Sequence, residues 1–168
     1  SLLQGARCAA LLREQGSAAK VAINVSRVQL TSTSFIQALH GALICANVAP
    51  ELIELELTES LFMDLSATVQ ANVRGARAAG VGLAIDDFGT GFSSLSSLKD
   101  LPATKLKLDR AFIGVLPRDR RAFAIVRAMT QLARDLGMIV VAEGVETREQ
   151  LDACAAAGVD ATQGFFSA

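Results

Sequence analysis

The feature that most constrains the fold is a junction that occurs four times, in which a helical segment, a glycine and a β-branched run follow one another. The glycines are Gly16, Gly80, Gly137 and Gly158, and they precede the runs VAINVS, VGLAIDD, MIVVAEGV and VDATQGF. Glycine is favoured just beyond a helix because it adopts the left-handed conformation without a Cβ penalty. Two further apolar runs, at 52–58 and 103–109, complete six candidate strands. Strands that alternate with helices pair in parallel.

Two intervening segments, 60–78 and 119–136, carry apolar residues at helical spacing. Thr147 and Gln150 have the spacing of a capping box that opens the last helix. The chain has no low-complexity tract and no linker between domains. We therefore expect residues 1–168 to belong to one domain.

An open sheet and a closed barrel both fit the alternation of strands and helices, and the polar side chains at the strand ends distinguish them. Each candidate strand ends in side chains capable of chemistry, namely Asn24, Glu56, Asp86, Asp87, Lys107, Asp109, Glu143 and Gln163. An open sheet places its site at one switch point, whereas all strands of a barrel contribute to one rim. The pattern predicts an α/β fold, a TIM-like (βα)8 barrel. With about six of the eight parallel strands present, we expect the domain to be truncated at both ends.

The composition, with 51% hydrophobic and 20% charged residues, is typical of a globular domain. A net charge of −1 gives no general attraction to DNA or RNA. No apolar run approaches the roughly 20 residues that span a bilayer, so this segment is expected to make no direct membrane contact. Cys8, Cys45 and Cys154 lie singly among apolar residues, where buried thiols are ordinary. We predict a cytoplasmic location, which is compatible with a membrane anchor elsewhere in a longer parent protein.

Four carboxylates would meet at the rim of such a barrel, those of Glu56, Asp86, Asp87 and Glu143. Negative charges at such short distances repel one another unless a positive charge compensates them. A divalent cation supplies that positive charge. Because the candidate ligands are oxygens, the set favours Mg²⁺, Mn²⁺ or Ca²⁺ over Zn²⁺. Asn24 can add a carbonyl oxygen, and Asp86 could bridge two ions. A two-metal site is a known device for phosphodiester hydrolysis.

Lys107 could orient the attacking water, help to deprotonate it, or stabilise the transition state by its charge. The alternative interpretation of Lys107 is an outward-facing lysine that alternates with Lys105. The alternative interpretation of Asp109 is a helix cap. His40 is expected to be structural or at the surface. We expect Arg118, Arg120 and Arg121 to lie at a solvated helix start, and the alternative is an interdomain contact.

Six motifs in register resemble, in order, those of the EAL-domain cyclic di-GMP phosphodiesterases, enzymes of bacterial second-messenger signalling. The motifs are Asn24-Val-Ser, Glu56-Leu-Thr-Glu59, Asp86-Asp-Phe-Gly-Thr-Gly-Phe-Ser-Ser-Leu95, Lys107-Leu-Asp-Arg110, Ala142-Glu-Gly-Val-Glu-Thr147 and Gln163-Gly164. The match extends over nearly the whole chain. Six ordered motifs are far more specific than any single one.

The resemblance implies roles for the matching residues. It implies metal ligation by Asn24, Glu56, Asp86, Asp87 and Glu143, catalytic roles for Lys107, Glu143 and Gln163, and contact with the substrate or support of the site by Asp109 and Glu146. It also implies that Glu59 anchors the loop that follows Asp86 and Asp87. The Glu-Ala-Leu strand that gives the family its name, and the final strand and helix, are absent from these 168 residues.

The resemblance further implies hydrolysis of cyclic di-GMP to linear pGpG with Mg²⁺ or Mn²⁺, and binding of Ca²⁺ with inhibition. It implies a homodimer and, in the parent chain, regulatory or diguanylate-cyclase-type domains. The alternative is a catalytically inactive domain that binds cyclic di-GMP as a receptor or acts as a regulatory interaction module.

Overall fold

The structure is a computed structural model, and it describes residues 1–64, 66–89 and 102–164. The chain divides into two compact units, Ser1–Ala84 and Ile85–Ala168. Six strands are hydrogen-bonded in chain order, from β1 to β6. The pairing is parallel between β1 and β2, between β4 and β5, and between β5 and β6. Across the described residues, helices alternate with parallel strands as predicted.

The first unit contains two complete strands and the beginning of a third. Its elements in order are α1 (Leu2–Glu14), β1 (Val21–Asn24), α2 (Arg27–Leu30), α3 (Phe35–Ala46), a 3-10 turn (Pro50–Leu52), β2 (Ile53–Thr58), α4 (Glu59–Phe62), α5 (Ala67–Ala78) and the start of β3 (Gly82–Phe88). Ser1 and Ser26 open α1 and α2 with capping boxes. The core lies along β2, where Ile53, Leu55 and Leu57 are fully buried.

The second unit contains the end of β3 and the remaining strands. Its other elements are β4 (Lys105–Leu108), α6 (Arg110–Ile113), α7 (Arg120–Asp135), β5 (Ile139–Glu143), α8 (Arg148–Ala157) and β6 (Ala161–Gln163). Leu106, Leu108, Val140 and Ala142 are buried on adjacent strands. Such continuous apolar burial is typical of parallel strands covered on both faces.

The predicted helix-ending glycines and the predicted capping box are confirmed. Gly16, Gly80, Gly137 and Gly158 all have left-handed φ angles between 78° and 95°, as predicted for residues that follow a helix. Thr147 and Gln150 form the expected capping box at the start of α8.

Two local expectations were wrong. The segment 60–78 is not one helix, because Ser66 takes an extended conformation and its backbone N–H donates to Asp64 Oδ1 at 2.9 Å. This local hydrogen bond ends the helical conformation and lets α5 start afresh. Cys8 and Cys45 are exposed, and only Cys154 of the three cysteines is buried, since Cys8 and Cys45 lie on the outer faces of α1 and α3.

Asn72 ties α5 to the segment after α2. It is 5% exposed, and its Nδ2 donates to Leu30 O at 2.7 Å and to Ser32 O at 2.9 Å. Asn72→Leu removes both donated hydrogen bonds and leaves the buried Leu30 carbonyl without its Asn72 partner, so it should lower the free energy of unfolding by about 2 kcal/mol. Urea denaturation measures the change. The exposed Gln37→Leu on α3 is the control and should change stability little; equal effects of the two substitutions would contradict this role.

Asp160 fastens β5 to the turn before β6. Its carboxylate accepts from Arg134 Nη2 at 2.7 Å and from the Val140 N–H at 2.8 Å. The hydrogen bond from Arg134, followed by the one from Val140, lowers the pKa of Asp160. A lowered folded-state pKa stabilises the fold above the ordinary value of 3.8, and this contribution is lost as the pH falls through the folded-state pKa.

Asp160→Asn should therefore destabilise the protein by about 1 kcal/mol at pH 7, a modest value because the pair is partly exposed. Urea denaturation at decreasing pH should show the difference from wild type shrinking below pH 3.8, the ordinary value for Asp160. A difference that stays constant across this range would argue against an ionised Asp160 as its source.

Candidate metal and catalytic site

Three carboxylates gather in the second unit at the carboxyl ends of two strands. Asp86 and Asp87 lie near the end of β3, and Glu143 is the last residue of β5. One oxygen from each residue lies within 4.8 Å of the others. This is the spacing at which carboxylates can share a metal ion, and the prediction that these three residues lie close together is confirmed.

Lys107 is the cation of this cluster. Its side chain lies on β4 and is buried, with Nζ at 2.9 Å from Asp86 Oδ1 and at 2.7 Å from Glu143 Oε1. The alternative of an outward-facing lysine is therefore wrong. Because a buried ammonium is costly unless it is paired, the two carboxylates determine where Lys107 lies.

Asp86 Oδ1 is the atom that best tests whether a metal fits. It is buried and has no hydrogen-bond partner among the described residues, although Lys107 Nζ lies at ion-pair distance. The contact between Lys107 Nζ and Asp86 Oδ1 is therefore an ion pair without the geometry of a hydrogen bond. A buried anionic oxygen with unused acceptor capacity, beside two more carboxylates, suits a hard divalent cation.

The pKa values of two carboxyl groups in this cluster, Asp87 and Glu143, are raised. Burial raises the pKa of Asp87, and the charges of Asp86 and Asp109 raise it further. Burial also raises the pKa of Glu143, with smaller contributions from Asp86 and Asp87, against the opposing effect of Lys107. Among the described residues, these three carboxylates exceed the Lys107 ammonium by two formal charges. A bound cation would remove this excess.

Asp87 has an unusual backbone, with φ of 52°. Aspartate and asparagine tolerate this left-handed region better than most residues, yet it still costs energy outside glycine. The conformation sets the direction in which the Asp87 side chain leaves the end of β3.

Asp109 connects this cluster to the next helix. Its Oδ1 accepts from the Ala111 N–H at 2.7 Å, so its predicted role as a helix cap is confirmed. A side-chain hydrogen bond with Asp87 also contributes to the raised pKa of Asp87. Asp109 therefore caps the start of α6 and lies close enough to Asp87 to raise its pKa.

Gln163 lies beside Glu143 through strand pairing. The two residues are register partners on β6 and β5, and the Gln163 carbonyl accepts from the Val145 N–H at 3.2 Å. Lys107 is the register partner of Val141, two residues before Glu143. Parallel pairing therefore brings the ends of β4, β5 and β6 to one edge.

Three predicted site residues lie in the first unit. Asn24 and Glu56 are register partners on β1 and β2. Glu59 begins α4 and is buried at 4% exposure. The loop that it was expected to anchor falls largely on residues 90–95, which lie outside the described residues. For these three residues, metal ligation and loop anchoring stay predictions.

Glu146 and His40 are both exposed polar residues. Glu146 is exposed, and its backbone N–H donates to Gln150 Oε1 at 2.8 Å as part of the cap of α8. His40 is exposed on α3, as expected. Sequence reasoning missed the two ion pairs of Lys107, although a lysine between strands that end in acidic residues was a usable signal.

The chain is similar to known proteins in sequence. The EAL domain family model matches residues 3–168. The bifunctional diguanylate cyclase/cyclic di-GMP phosphodiesterase MucR of Pseudomonas aeruginosa is 41% identical over 146 residues, which are 87% of this chain and 21% of MucR. The chain thus spans about a fifth of that relative.

Solved structures agree. The PaMucR phosphodiesterase in complex with c-di-GMP superposes with a TM-score of 0.91 at 39% identity, covering 98% of this chain and 67% of that one. BlrP1 of Klebsiella pneumoniae, solved with manganese and cyclic di-GMP, gives a TM-score of 0.84 at 32% identity, with coverage of 98% and 43%. BlrP1 has also been solved with calcium and cyclic di-GMP. The predicted TIM-like α/β fold is confirmed.

None of the helices within the described ranges is long and apolar enough to cross a bilayer. The family match over nearly the whole chain agrees with the six ordered motifs and with the carboxylate cluster around Lys107. The chain belongs to the EAL domain family.

Proposed function

We propose that this chain forms part of a domain that hydrolyses cyclic di-GMP to linear pGpG with Mg²⁺ or Mn²⁺. The observation that carries the proposal is the buried Lys107 ammonium between Asp86 and Glu143, with Asp87 beside them. The similarity to MucR, whose name includes cyclic di-GMP phosphodiesterase, supports the substrate. The PaMucR complex with c-di-GMP supports the site that binds it.

Asp86, Asp87 and Glu143 would hold the metal, and Asn24 and Glu56 are proposed as further ligands from the family resemblance. All of these donors are oxygens, which suits Mg²⁺ and Mn²⁺. When bound, a pair of such ions lowers the pKa of water and neutralises charge that builds on the phosphate oxygens. We propose that Ca²⁺ binds the same ligands without supporting turnover, because it prefers a larger and looser coordination shell.

Hydrolysis adds water across one phosphodiester bond, so that the water oxygen joins phosphorus and the released ribose oxygen takes up a proton. Lys107 is suited to orient that water through an N–H donor and to stabilise negative charge on the phosphoryl group. Glu143 and Asp86 hold the ammonium in place at 2.7 and 2.9 Å. Gln163, next to Glu143 in register, is suited to hold the water through its side-chain amide.

The remaining proposals concern context. We propose that Asp109 and Glu146 contact the substrate or support the site, and that Glu59 anchors the loop after Asp87. A homodimer, attached regulatory or diguanylate-cyclase-type domains, and a cytoplasmic location are proposed from the family resemblance. MucR supports the attached domains, since its name joins a diguanylate cyclase to the phosphodiesterase.

Lys107→Met keeps the length and apolar stem of the side chain but removes its charge. In the full-length protein with Mg²⁺, it should lower the rate of pGpG formation by more than about 100-fold, because both the water-orienting donor and the charge are lost. Chromatographic separation of cyclic di-GMP and pGpG measures the rate. The exposed Lys20→Met is the control and should retain the wild-type rate.

Circular dichroism establishes that the Lys107 variant is folded. Turnover by folded Lys107→Met at the wild-type rate would refute the assigned role of Lys107. A wild-type protein that binds cyclic di-GMP in Ca²⁺ but forms no pGpG in Mg²⁺ would instead identify the domain as a receptor.

Asp87→Asn tests the metal site without depending on turnover. It preserves the side-chain shape and tolerates the left-handed backbone, but removes an anionic ligand. We expect Mn²⁺ affinity, measured by calorimetry, to fall by about 10-fold to 100-fold. The exposed Asp152→Asn on α8 should leave the affinity unchanged. Equal Mn²⁺ affinities for the two variants would exclude Asp87 as a ligand.

A further inference from the structure

Two glycines stand directly after the site residues at the ends of β5 and β6. Gly144 follows Glu143, and Gly164 follows Gln163. At both positions the neighbouring chain comes closer than a side chain would allow. The two close approaches lie next to one another, because Val145, which follows Gly144, is the residue that Gly164 contacts.

At Gly164 the obstacle is backbone. A Cβ there would lie 2.5 Å from Val145 N and 2.9 Å from Val145 C, and would also overlap Val145 O. Val145 is fully buried, and its N–H donates to the Gln163 carbonyl at 3.2 Å. Since a buried, hydrogen-bonded backbone cannot rotate aside as a side chain can, any larger residue would have to move the end of β6 away from β5.

At Gly144 there are two obstacles. Its φ of 69° lies in the left-handed region, and a Cβ would lie 2.7 Å from Arg110 Cβ and 3.6 Å from Arg110 Cα. Arg110 begins α6 directly after Asp109, which caps that helix. Gly144 therefore sets how closely the end of β5 approaches the segment after β4.

We propose that Gly144 and Gly164 are positioning residues, which let the ends of β4, β5 and β6 approach closely enough for Lys107, Glu143 and Gln163 to act together. The inference rests on the proposed function. A Cβ at Gly164 would displace Gln163 from its place beside Glu143. A Cβ at Gly144 would displace Glu143 relative to Lys107, with which it forms a 2.7 Å ion pair.

The chain contains a matched control for each glycine. Gly137 has a left-handed φ of 78°, but a Cβ there would meet no atom within 4 Å, so Gly137→Ala carries the backbone strain of Gly144→Ala without the contact. Gly41 on α3 has neither a left-handed φ nor an atom within that distance, and Gly41→Ala is the control for Gly164→Ala.

The four variants are made in the full-length protein, and kcat and KM for cyclic di-GMP are measured in Mg²⁺. Gly164→Ala should lower kcat by about 100-fold, the size of effect expected from a misplacement of about 1 Å, with KM within about twofold of wild type. Gly144→Ala should lower kcat similarly and weaken Mn²⁺ binding by about 10-fold, because Glu143 is moved. Both control variants should keep kcat and Mn²⁺ affinity within about twofold of wild type.

Rates are expressed per folded molecule, from the folded fraction measured by circular dichroism. A merely structural role predicts that each loss follows the folded fraction and that kcat per folded molecule matches the control, and this result would overturn the proposal. If wild-type protein binds Mn²⁺ but forms no pGpG, the proposed function fails while the Mn²⁺ comparison still decides the role of Gly144. Weaker binding by Gly144→Ala than by Gly137→Ala supports that role, and equal binding overturns it.

Discussion

The site depends on a lysine ammonium that is buried among carboxylates. Lys107 is 5% exposed and lies within 3 Å of oxygens from Asp86 and Glu143. Removing an ammonium from water is costly unless charges of opposite sign surround it, and the carboxylates in turn repel one another without a cation. Each group therefore needs the others. Burial raises the pKa values of Asp87 and Glu143, and the neighbouring acids raise them further against the opposing effect of Lys107.

Parallel strand pairing brings these charges together from distant parts of the sequence. Asp86, Lys107 and Glu143 are separated by 20 or more residues, yet each lies near the carboxyl end of its strand. Helices between β1 and β2, between β4 and β5 and between β5 and β6 return the chain to the opposite edge, so these parallel strands end on the same side. The Asp109 cap and the close approaches at Gly144 and Gly164 then adjust the distances at that edge.

Much of this was predictable from the sequence because the relevant signals are local. The glycines at 16, 80, 137 and 158 ended their helices, and Thr147 with Gln150 opened one. The residues Asp86, Asp87 and Glu143 were recognised as a group from their positions at strand ends. The break between α4 and α5 was missed because Asp64 bonds to a backbone N–H two residues on, and helical periodicity does not report such competition.

The ion pairs of Lys107 and the exposure of Cys8 and Cys45 were missed for a different reason. Both depend on how side chains from separate elements meet, which spacing along the chain does not determine. Lys105 and Lys107 show this clearly, because two lysines in one short strand carry the same sequence signal. It is the second that is held between Asp86 and Glu143.

The left-handed backbone at Asp87 has a consequence for how the family can diverge. Asparagine and glycine adopt this conformation with little strain, whereas β-branched residues do not. Substitutions that the local backbone accepts most readily are therefore ones that delete the carboxylate and leave the strand end undisturbed. Under the proposed function, one substitution of this kind would remove a metal ligand and leave the backbone at the end of β3 unchanged.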